Sequence, residues 1–175
     1  MEENVILVDE HDVEIGLMAK TEAHKKGLLH RAISVFIFNS KGEWLLQRRA
    51  LTKYHSSGLW TNSCCTHPLP NENNVDAAHR RLKQEMGMQC NLQELFSFTY
   101  CEALDNELTE NELDHVFIGI TDNLPTINLE EVDEFKYMRY EELEVDIRNK
   151  PSDYTAWFNK IYFRVQQHFL NRSTK

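Results

Sequence analysis

The segment 32–38, AISVFIF, constrains the fold more than any other part of the sequence. It is apolar and rich in β-branched and aromatic residues, which is typical of a β-strand. A second short apolar run, EWLLQ at 43–47, follows the turn-forming residues NSKG. Two such runs joined by a turn predict a β-hairpin.

The rest of the chain alternates between strands and helices. A helix is expected over 75–87, VDAAHRRLKQEMG, with Asn74 or Asp76 as its N-cap and Gly87 at its end. Strands are expected at 95–100, 115–120 and 135–138, and helices at 140–148 and 153–170. The last helix has an apolar face made of Phe158, Ile161, Tyr162, Val165 and Phe169. Hairpins combined with helices packed on a sheet predict an α+β fold.

Length and charge limit the number of domains and the kind of partner. The 175 residues suit a single domain, 1–175, and a hydrophobic content of 41% is ordinary for a globular protein. A net charge of -9 argues against a nucleic acid or an anionic membrane surface as the main partner. Because no apolar run approaches the ~20 residues that span a bilayer, and the N-terminal segment is acidic, we expect a cytoplasmic protein. Oligomeric state cannot be read from the sequence, and a monomer is the working expectation.

The stretch 61–68, TNSCCTHP, contains the adjacent cysteines Cys64 and Cys65, followed by His67. The four cysteines of the chain form no CxxC pair, and adjacent cysteines rarely bridge each other, so a disulfide is disfavoured. Metal binding, acid or nucleophile chemistry, and simple core packing all remain compatible with these three residues.

The helix expected at 75–87 carries charges in an ordered pattern. Arg81 and Glu85 are four residues apart, which on spacing alone favours an exposed ion pair, while Leu82 and Met86 point towards a core. The region resembles the Nudix signature, which it matches at Glu72, Arg80, Leu82, Glu85, Gly87 and Met88 and from which it departs at Thr66, Arg81 and Gln84. Two glutamates that hold Mg²⁺ for hydrolysis are therefore missing. The remaining carboxylate suits one Mg²⁺ on a diphosphate that stays intact.

Histidines and paired glutamates form a second candidate site, made of His24, His30, His67, Glu110 and Glu112. In an extended segment Glu110 and Glu112 share one face, where two carboxylates repel unless a cation or a proton lies between them. Imidazole and carboxylate ligands suit Zn²⁺ or Mn²⁺. Spacing alone, however, favours surface or capping roles. We expect such roles for the other histidines, His11, His55, His79, His115 and His168, with His115 the nearest rival as a ligand.

Taken together, these segments resemble the type I isopentenyl-diphosphate isomerases of the Nudix superfamily. The matching segments, in the family's order, are GLLHRAISVFIFN (27–39), LLQRRALTK (45–53), GLWTNSCCTHP (58–68), RRLKQEMG (80–87), ENE (110–112) and TAWF (155–158). The resemblance implies a Nudix-like mixed β-sheet packed between α-helices, with a core at about 28–162 and an N-terminal extension at 1–27. It also implies interconversion of isopentenyl diphosphate and dimethylallyl diphosphate in isoprenoid biosynthesis.

The same resemblance implies a role for each candidate residue. Cys65 and Glu112 would transfer the protons, on opposite faces of the substrate. Cys64 would then be a packing residue. Tyr100 would lie beside Glu112, and Trp157 would face the developing cation. The substrate diphosphate would be held by Lys20, Arg49, Lys53 and Arg81, with Mg²⁺ at Glu85 and Cys65. Mn²⁺ or Zn²⁺ would bind His24, His30, His67, Glu110 and Glu112, of which His24 precedes a segment whose length varies within the family.

Two other functions stay open on the residues alone. A Nudix-type diphosphate hydrolase is disfavoured by Arg81 and Gln84, which stand where glutamates belong. A metal-stabilised binding protein without catalysis would use the same histidines. The sequence also leaves open which metal is bound, and which of Cys65 and Glu112 protonates the alkene.

Overall fold

The computed structural model of the chain describes residues 3–53, 55–104 and 107–172. Within them the chain forms one mixed sheet of nine strands, together with four α-helices. The strands are Asn4–Val8 (β1), Glu14–Ala19 (β2), His30–Phe38 (β3), Trp44–Arg49 (β4), Trp60–Thr61 (β5), Cys64–Thr66 (β6), Leu92–Ala103 (β7), Thr109–Ile120 (β8) and Val132–Met138 (β9). The helices are Lys20–Lys26 (α1), Asn74–Met86 (α2), Tyr140–Asn149 (α3) and Ala156–Arg172 (α4), and a 3-10 turn at Pro151–Asp153 precedes α4.

Strand β3 lies at the centre of the sheet. One of its edges pairs in parallel with β8 over the whole strand, from His30 opposite Glu112 to Phe38 opposite Ile120. Because that edge is taken, β1, β6 and β4 share the other edge, and Cys65 on β6 lies opposite Ser34. Cys65 and Glu112 are therefore carried by strands on opposite flanks of β3.

Both faces of β3 are buried, which explains why its apolar residues form a continuous run instead of alternating with polar ones. Ile33, Val35 and Ile37 pack in a cluster with α2. Phe36 and Phe38 pack on the other face in a cluster with α3 and α4. The predicted α+β arrangement, a mixed sheet between helices, is confirmed.

The ends of α2 test the predicted capping residues. The side chain of Asn73 caps the helix, accepting a hydrogen bond from the backbone nitrogen of Asp76 at 2.9 Å. The prediction of Asn74 or Asp76 as N-cap was wrong, because the helix already begins at Asn74 and the cap is the extended residue before it. Gly87 ends the helix as predicted. Its φ is +63°, and a Cβ there would lie 2.5 Å from the carbonyl oxygen of Thr126.

The other predicted elements can be located in the same way. The predicted hairpin is present, with Phe38 opposite Trp44, and the expected strands at 95–100, 115–120 and 135–138 lie within β7, β8 and β9. The last helix starts at Ala156 and not at 153, because the 3-10 turn occupies Pro151–Asp153. Strands β1, β2, β5 and β6 and helix α1 were not predicted.

Among the helices of the described residues, none is both long enough and apolar enough to cross a membrane.

Candidate active site

A cavity of about 240 Å³ gathers predicted site residues from seven different elements and from the loops after β4 and β6. Those lining it are Lys20, Arg49, Lys53, Cys65, His67, Arg81, Glu85, Tyr100, Glu110, Glu112 and Trp157. The two remaining predicted residues, His24 and His30, are buried, and their rings lie 5.8 and 5.1 Å from the ring of His67.

One end of the cavity contains a group of metal-ligating side chains, which we call the metal end: His24, His30, His67 and Glu112. One ligand atom from each of them lies within 4.8 Å of the others. Helix α1, strands β3 and β8 and the residues just after β6 each supply one member. The carboxylate of Glu112 lies 3.0 Å from Nε2 of His67 and 3.5 Å from Nε2 of His30.

Two histidines of the metal end, His24 and His30, each keep an unprotonated ring nitrogen. Nδ1 of His24 donates to the carbonyl oxygen of Lys20 at 2.7 Å, and Nδ1 of His30 donates to that of Leu28 at 2.8 Å. These bonds place the ring proton on Nδ1, so that Nε2 keeps its lone pair. Nε2 of His24 is buried without a hydrogen-bond partner among the described residues. Burial lowers the pKa of His24 and, helped by the charge of Lys20, lowers that of His67 to about 3.

These donors fit a divalent metal. A buried nitrogen lone pair without a donor is unfavourable unless a cation approaches it. Neutral imidazoles with a carboxylate are ligands that suit Zn²⁺ and Mn²⁺.

Glu110, the fifth ligand implied by the sequence, lies beside this group and not within it. Tyr100 donates its hydroxyl to Glu112 at 2.5 Å and lies 3.2 Å from Glu110. Burial, with the charge of Glu112 nearby, raises the pKa of Glu110 to about 9. Although burial opposes ionisation of Glu112, the imidazoles of His30 and His67 beside it lower its pKa well below the ordinary value. Their surroundings thus favour the protonated form of Glu110 and the ionised form of Glu112.

The two cysteines have different surroundings. Cys64 is fully buried in the cluster formed with α2. Cys65 lines the cavity, with its sulfur 3.5 Å from the hydroxyl of Ser34. Burial, reinforced by the charge of Asp114, raises the pKa of Cys65 to about 12, so the thiol keeps its proton at neutral pH.

The other end of the cavity is lined by cations, and we call it the basic end: Lys20, Arg49, Lys53 and Arg81. Two of them share one carboxylate, because Lys53 and Arg81 both bind Oε2 of Glu131. Arg81 also lies 2.5 Å from Glu85, whose other oxygen accepts from Gln47 at 2.6 Å. The Arg81–Glu85 pair is thus partly buried, and the expectation of an exposed ion pair was wrong because Glu131 and Gln47 bond to it.

Three residues of this region were missed by the sequence reasoning. Asp114 is buried and accepts from Ser34 at 2.7 Å, and its two-residue spacing from Glu112 was the available signal. Glu131 gave no signal, since it lies in an acidic stretch before β9. His55 was expected at the surface. The structure buries it in the cavity wall, 6.1 Å from the ring of Trp157, because Arg49 donates to its carbonyl oxygen and turns the loop inwards.

Other motif residues lie elsewhere. His115, the predicted rival ligand, bridges Glu94 at 2.7 Å and Asp12 at 3.0 Å, one on each ring nitrogen, and thus binds the tip of the β1–β2 hairpin. Glu72, the first glutamate of the signature, pairs with Arg80 at 2.7 Å.

The chain is similar in sequence to known proteins. The NUDIX domain family model matches residues 28–158. The chain is 50% identical to isopentenyl-diphosphate Delta-isomerase 2 of Aromatoleum aromaticum, over 94% of this chain and 87% of that protein. It is 53% identical to isopentenyl-diphosphate Delta-isomerase 2 of Photorhabdus laumondii, over 92% of this chain and 91% of that protein.

Solved structures are similar at the level of the fold. A Deinococcus radiodurans protein superposes with a TM-score of 0.70 at 20% identity, covering 84% of this chain and 90% of its own. A MutT protein of Methanosarcina mazei superposes with a TM-score of 0.64 at 18% identity, covering 79% of this chain and 94% of its own.

Proposed function

The chain belongs to the isopentenyl-diphosphate Delta-isomerase family of the Nudix fold, and from this membership we propose how its residues carry the reaction. Isomerases of this kind interconvert isopentenyl diphosphate and dimethylallyl diphosphate, a step of isoprenoid biosynthesis. The double bond moves when one carbon gains a proton and another loses one. The proposal concerns which side chains transfer these protons and which hold the diphosphate.

One observation carries the proposal. A protonated thiol, Cys65, and an ionised carboxylate, Glu112, line the same cavity from strands on opposite flanks of β3. The reaction needs one proton donor and one acceptor on opposite sides of the substrate. Tyr100 donates to Glu112 at 2.5 Å, so it would orient that carboxylate towards the alkene.

Two proton transfers move the double bond. A proton added to the terminal CH₂ of isopentenyl diphosphate gives a tertiary cation at the neighbouring carbon. Loss of a proton from the CH₂ next to the carbon that bears the diphosphate oxygen then forms the new double bond. After the step the donor has lost one proton and the acceptor has gained one, so the two groups exchange roles in the reverse reaction.

The walls of the cavity suit a short-lived cation. Trp157 offers a π face, and cation–π attraction supplies up to about 2 kcal/mol in a dry site, which is about a thirtyfold change in rate. The side chain of Trp157 is almost fully buried, and His55 covers the same region. Burial, together with the charge of Arg49, lowers the pKa of His55 to about 3, so His55 itself adds no positive charge against the cation.

We propose that the metal end binds Mn²⁺ or Zn²⁺, with Glu110 joining it as a further ligand once its proton is lost. Such a metal would supply charge that orients Glu112 and shapes its acidity. The basic end would hold the diphosphate, because Arg and Lys match phosphate oxygens. Glu85, with Cys65, would hold Mg²⁺ on the diphosphate, since the sequence has a single carboxylate of the Nudix set on this part of α2.

A Nudix-type hydrolase is less well supported by the same residues. The two glutamates that match the signature, Glu72 and Glu85, are both paired with arginines, at 2.7 and 2.5 Å. The clustered carboxylates that would bind several Mg²⁺ ions and activate water are therefore lacking on this helix.

Incubation of the purified protein with isopentenyl diphosphate in heavy water tests the proposal. We expect deuterium in both substrate and product, with the diphosphate intact. Cys65→Ala and Glu112→Gln should each remove this exchange while the fold, measured by circular dichroism, is retained. Release of phosphate or diphosphate without exchange would indicate a hydrolase, and metal binding without either would indicate a binding protein.

A further inference from the structure

Asn62 lies between two of the side chains to which the reaction is attributed, although no role has been given to it so far. It precedes Cys65 in the loop between β5 and β6, and its exposed fraction is 0%. A fully buried carboxamide has two donors and a carbonyl oxygen to satisfy, so its contacts show what it holds in place.

The oxygen of Asn62 accepts hydrogen bonds from Trp157, which is distant in the sequence, and from Cys65, three residues further along the chain. The indole nitrogen of Trp157, on α4, donates to it at 3.2 Å. The sulfur of Cys65, on β6, lies 3.3 Å from the same atom. One carbonyl oxygen therefore contacts both the aromatic wall and the thiol.

The nitrogen of Asn62 fixes the amide in this orientation. It donates to the carbonyl oxygens of Cys64 at 2.8 Å and Val35 at 3.1 Å. It also lies 3.2 Å from the sulfur of Cys65. The sulfur thus has an acceptor and a donor at nearly equal distance. The thiol can donate a hydrogen bond to the carbonyl oxygen, and after the thiol has lost its proton the sulfur can share a hydrogen of the NH₂ group with one of the two carbonyl oxygens.

A pair of threonines supports the amide from behind. Thr61 donates its hydroxyl to the oxygen of Asn62 at 2.8 Å, and Thr155 donates to the hydroxyl of Thr61 at 2.9 Å. Both threonines are at most 1% exposed. Since Thr155 lies two residues before Trp157, the network closes a loop between α4 and β6 and leaves the amide little freedom to rotate.

We propose that Asn62 is a positioning residue that holds the thiol of Cys65 and the indole of Trp157 in one fixed relation across the substrate. This inference rests on the proposed function, because it gives the two side chains a shared reaction to serve. If the inference holds, loss of the amide lowers the rate of reaction of the bound complex. It does not lower the affinity for the diphosphate, because none of the hydrogen bonds described joins Asn62 to the basic end.

The first experiment compares Asn62→Ala with Ser63→Ala. Ser63 is a matched control, because it is also 0% exposed and, among the described residues, its hydroxyl bonds the backbone of Leu45 and Ile37 and no catalytic side chain. We expect Asn62→Ala to lower kcat by about ten- to a hundredfold, the effect of one to two well-placed hydrogen bonds, with KM changed by less than about twofold. Ser63→Ala should lower the melting temperature and leave kcat near that of the unchanged protein.

A second set of variants separates positioning from general destabilisation. Trp157→Phe lacks the indole N–H that bonds to Asn62. The factor by which Asn62→Ala lowers kcat should therefore be at least about three times smaller in the Trp157→Phe protein than in the unchanged protein. Asn62→Asp retains an acceptor for Trp157 but has no NH₂ group for the sulfur. Because it also loses the bonds to the carbonyl oxygens of Cys64 and Val35, it should lower the melting temperature, and when both Asn62 variants are assayed at a temperature at which they are folded it should still lose kcat.

The outcomes are distinguishable. Equal costs of Asn62→Ala in both backgrounds, or a loss in KM instead of kcat, would overturn the inference while the isomerase function stands. Full activity of Asn62→Asp would show that donation to the sulfur is unnecessary and would overturn it as well. Absence of exchange in the unchanged protein and in Ser63→Ala would instead contradict the proposed function.

Discussion

The two ends of the cavity satisfy their charges in opposite ways. At the metal end, Nδ1 of His24 and of His30 is tied to the backbone, and Nε2 of His24 has no partner among the described side chains. At the basic end, Lys53 and Arg81 are already paired with Glu131. One end therefore has unfilled acceptors, whereas the other has cations that its own carboxylates neutralise.

The difference shows which ligand each end is prepared for. Buried acceptors without a hydrogen-bond donor are stabilised by a bound cation. We therefore expect a resident metal that contributes to stability. Paired cations remain ionised without a ligand and can exchange one anion for another. This suits a diphosphate that must bind and leave at every turnover.

The largest expected effect comes from Glu112→Gln at the metal end. It removes the carboxylate shared by the proposed metal and by proton transfer, so activity should fall by at least about a thousandfold. Bound metal, measured by mass spectrometry on the purified protein, should fall with it. The same substitution at Glu94, a carboxylate on β7 that bonds His115, is the control and should retain both. Normal metal content in Glu112→Gln would contradict the ligand assignment.

Local sequence rules reached part of this site. Alternation along β8 was enough to place Glu110 and Glu112 on one face, because side chains on a strand repeat every second residue. The same rule did not single out Asp114, since alternation cannot say whether a face is buried. His24 and His67 were assigned to one metal site from the family resemblance and not from their spacing in the sequence.

The missed residues depend on tertiary packing. His55 and Glu131 lie in loops that reach the cavity through contacts with Arg49, Lys53 and Arg81, which no local pattern encodes. The hairpin β1–β2 was missed for a related reason. Its second strand keeps apolar side chains such as Ile15 exposed at 66%, so it lacks the alternation that marks a half-buried strand.

Removal of the metal should have the second largest effect. A ligand that binds only the folded state stabilises it by about 3–4 kcal/mol at 100 to 1,000 times its Kd, which is about 10 °C in melting temperature for a chain of this size. We expect a chelator to produce such a drop in the unchanged protein and none in Glu112→Gln. Inorganic diphosphate, which acts at the basic end, should raise the melting temperature by less. A chelator effect of equal size in both proteins would show that it does not act through this site.

The pH dependence of the free energy of unfolding should test the cavity wall that contains His55, independently of the metal end and the basic end. The pKa of His55 is about 3 in the folded protein and 6.5 as its ordinary value. The unfolded chain therefore binds the proton more tightly, so the contribution of His55 is complete above pH 6.5 and is lost as the pH falls towards 3. One such proton corresponds to about 1.4 kcal/mol per pH unit.

His55→Gln, compared with the unchanged protein in metal-free form, measures this contribution. Both proteins retain His24 and His67, so their contributions cancel in the difference. Denaturant unfolding between pH 7 and pH 4 should show a slope that is shallower by about one proton in the variant. Identical slopes would mean that His55 is not buried as a neutral ring.

The smallest expected effect is at the basic end. Glu131→Gln leaves Lys53 and Arg81 without the carboxylate they share, so an incoming diphosphate no longer has to displace it. Although burial opposes its ionisation, hydrogen bonding to Lys53 and the charge of Arg81 lower the pKa of Glu131, so it is an anion at neutral pH. We expect KM to fall by about three- to tenfold with kcat nearly unchanged, the size typical of a partly exposed ion pair.

Glu130→Gln makes the same charge change at the neighbouring exposed position and should leave KM within about twofold, because long-range attraction between exposed charges is screened by salt. A rise in KM for Glu131→Gln would contradict the comparison between the two ends, since it would mean that Glu131 orients the cations for the diphosphate instead of competing with it.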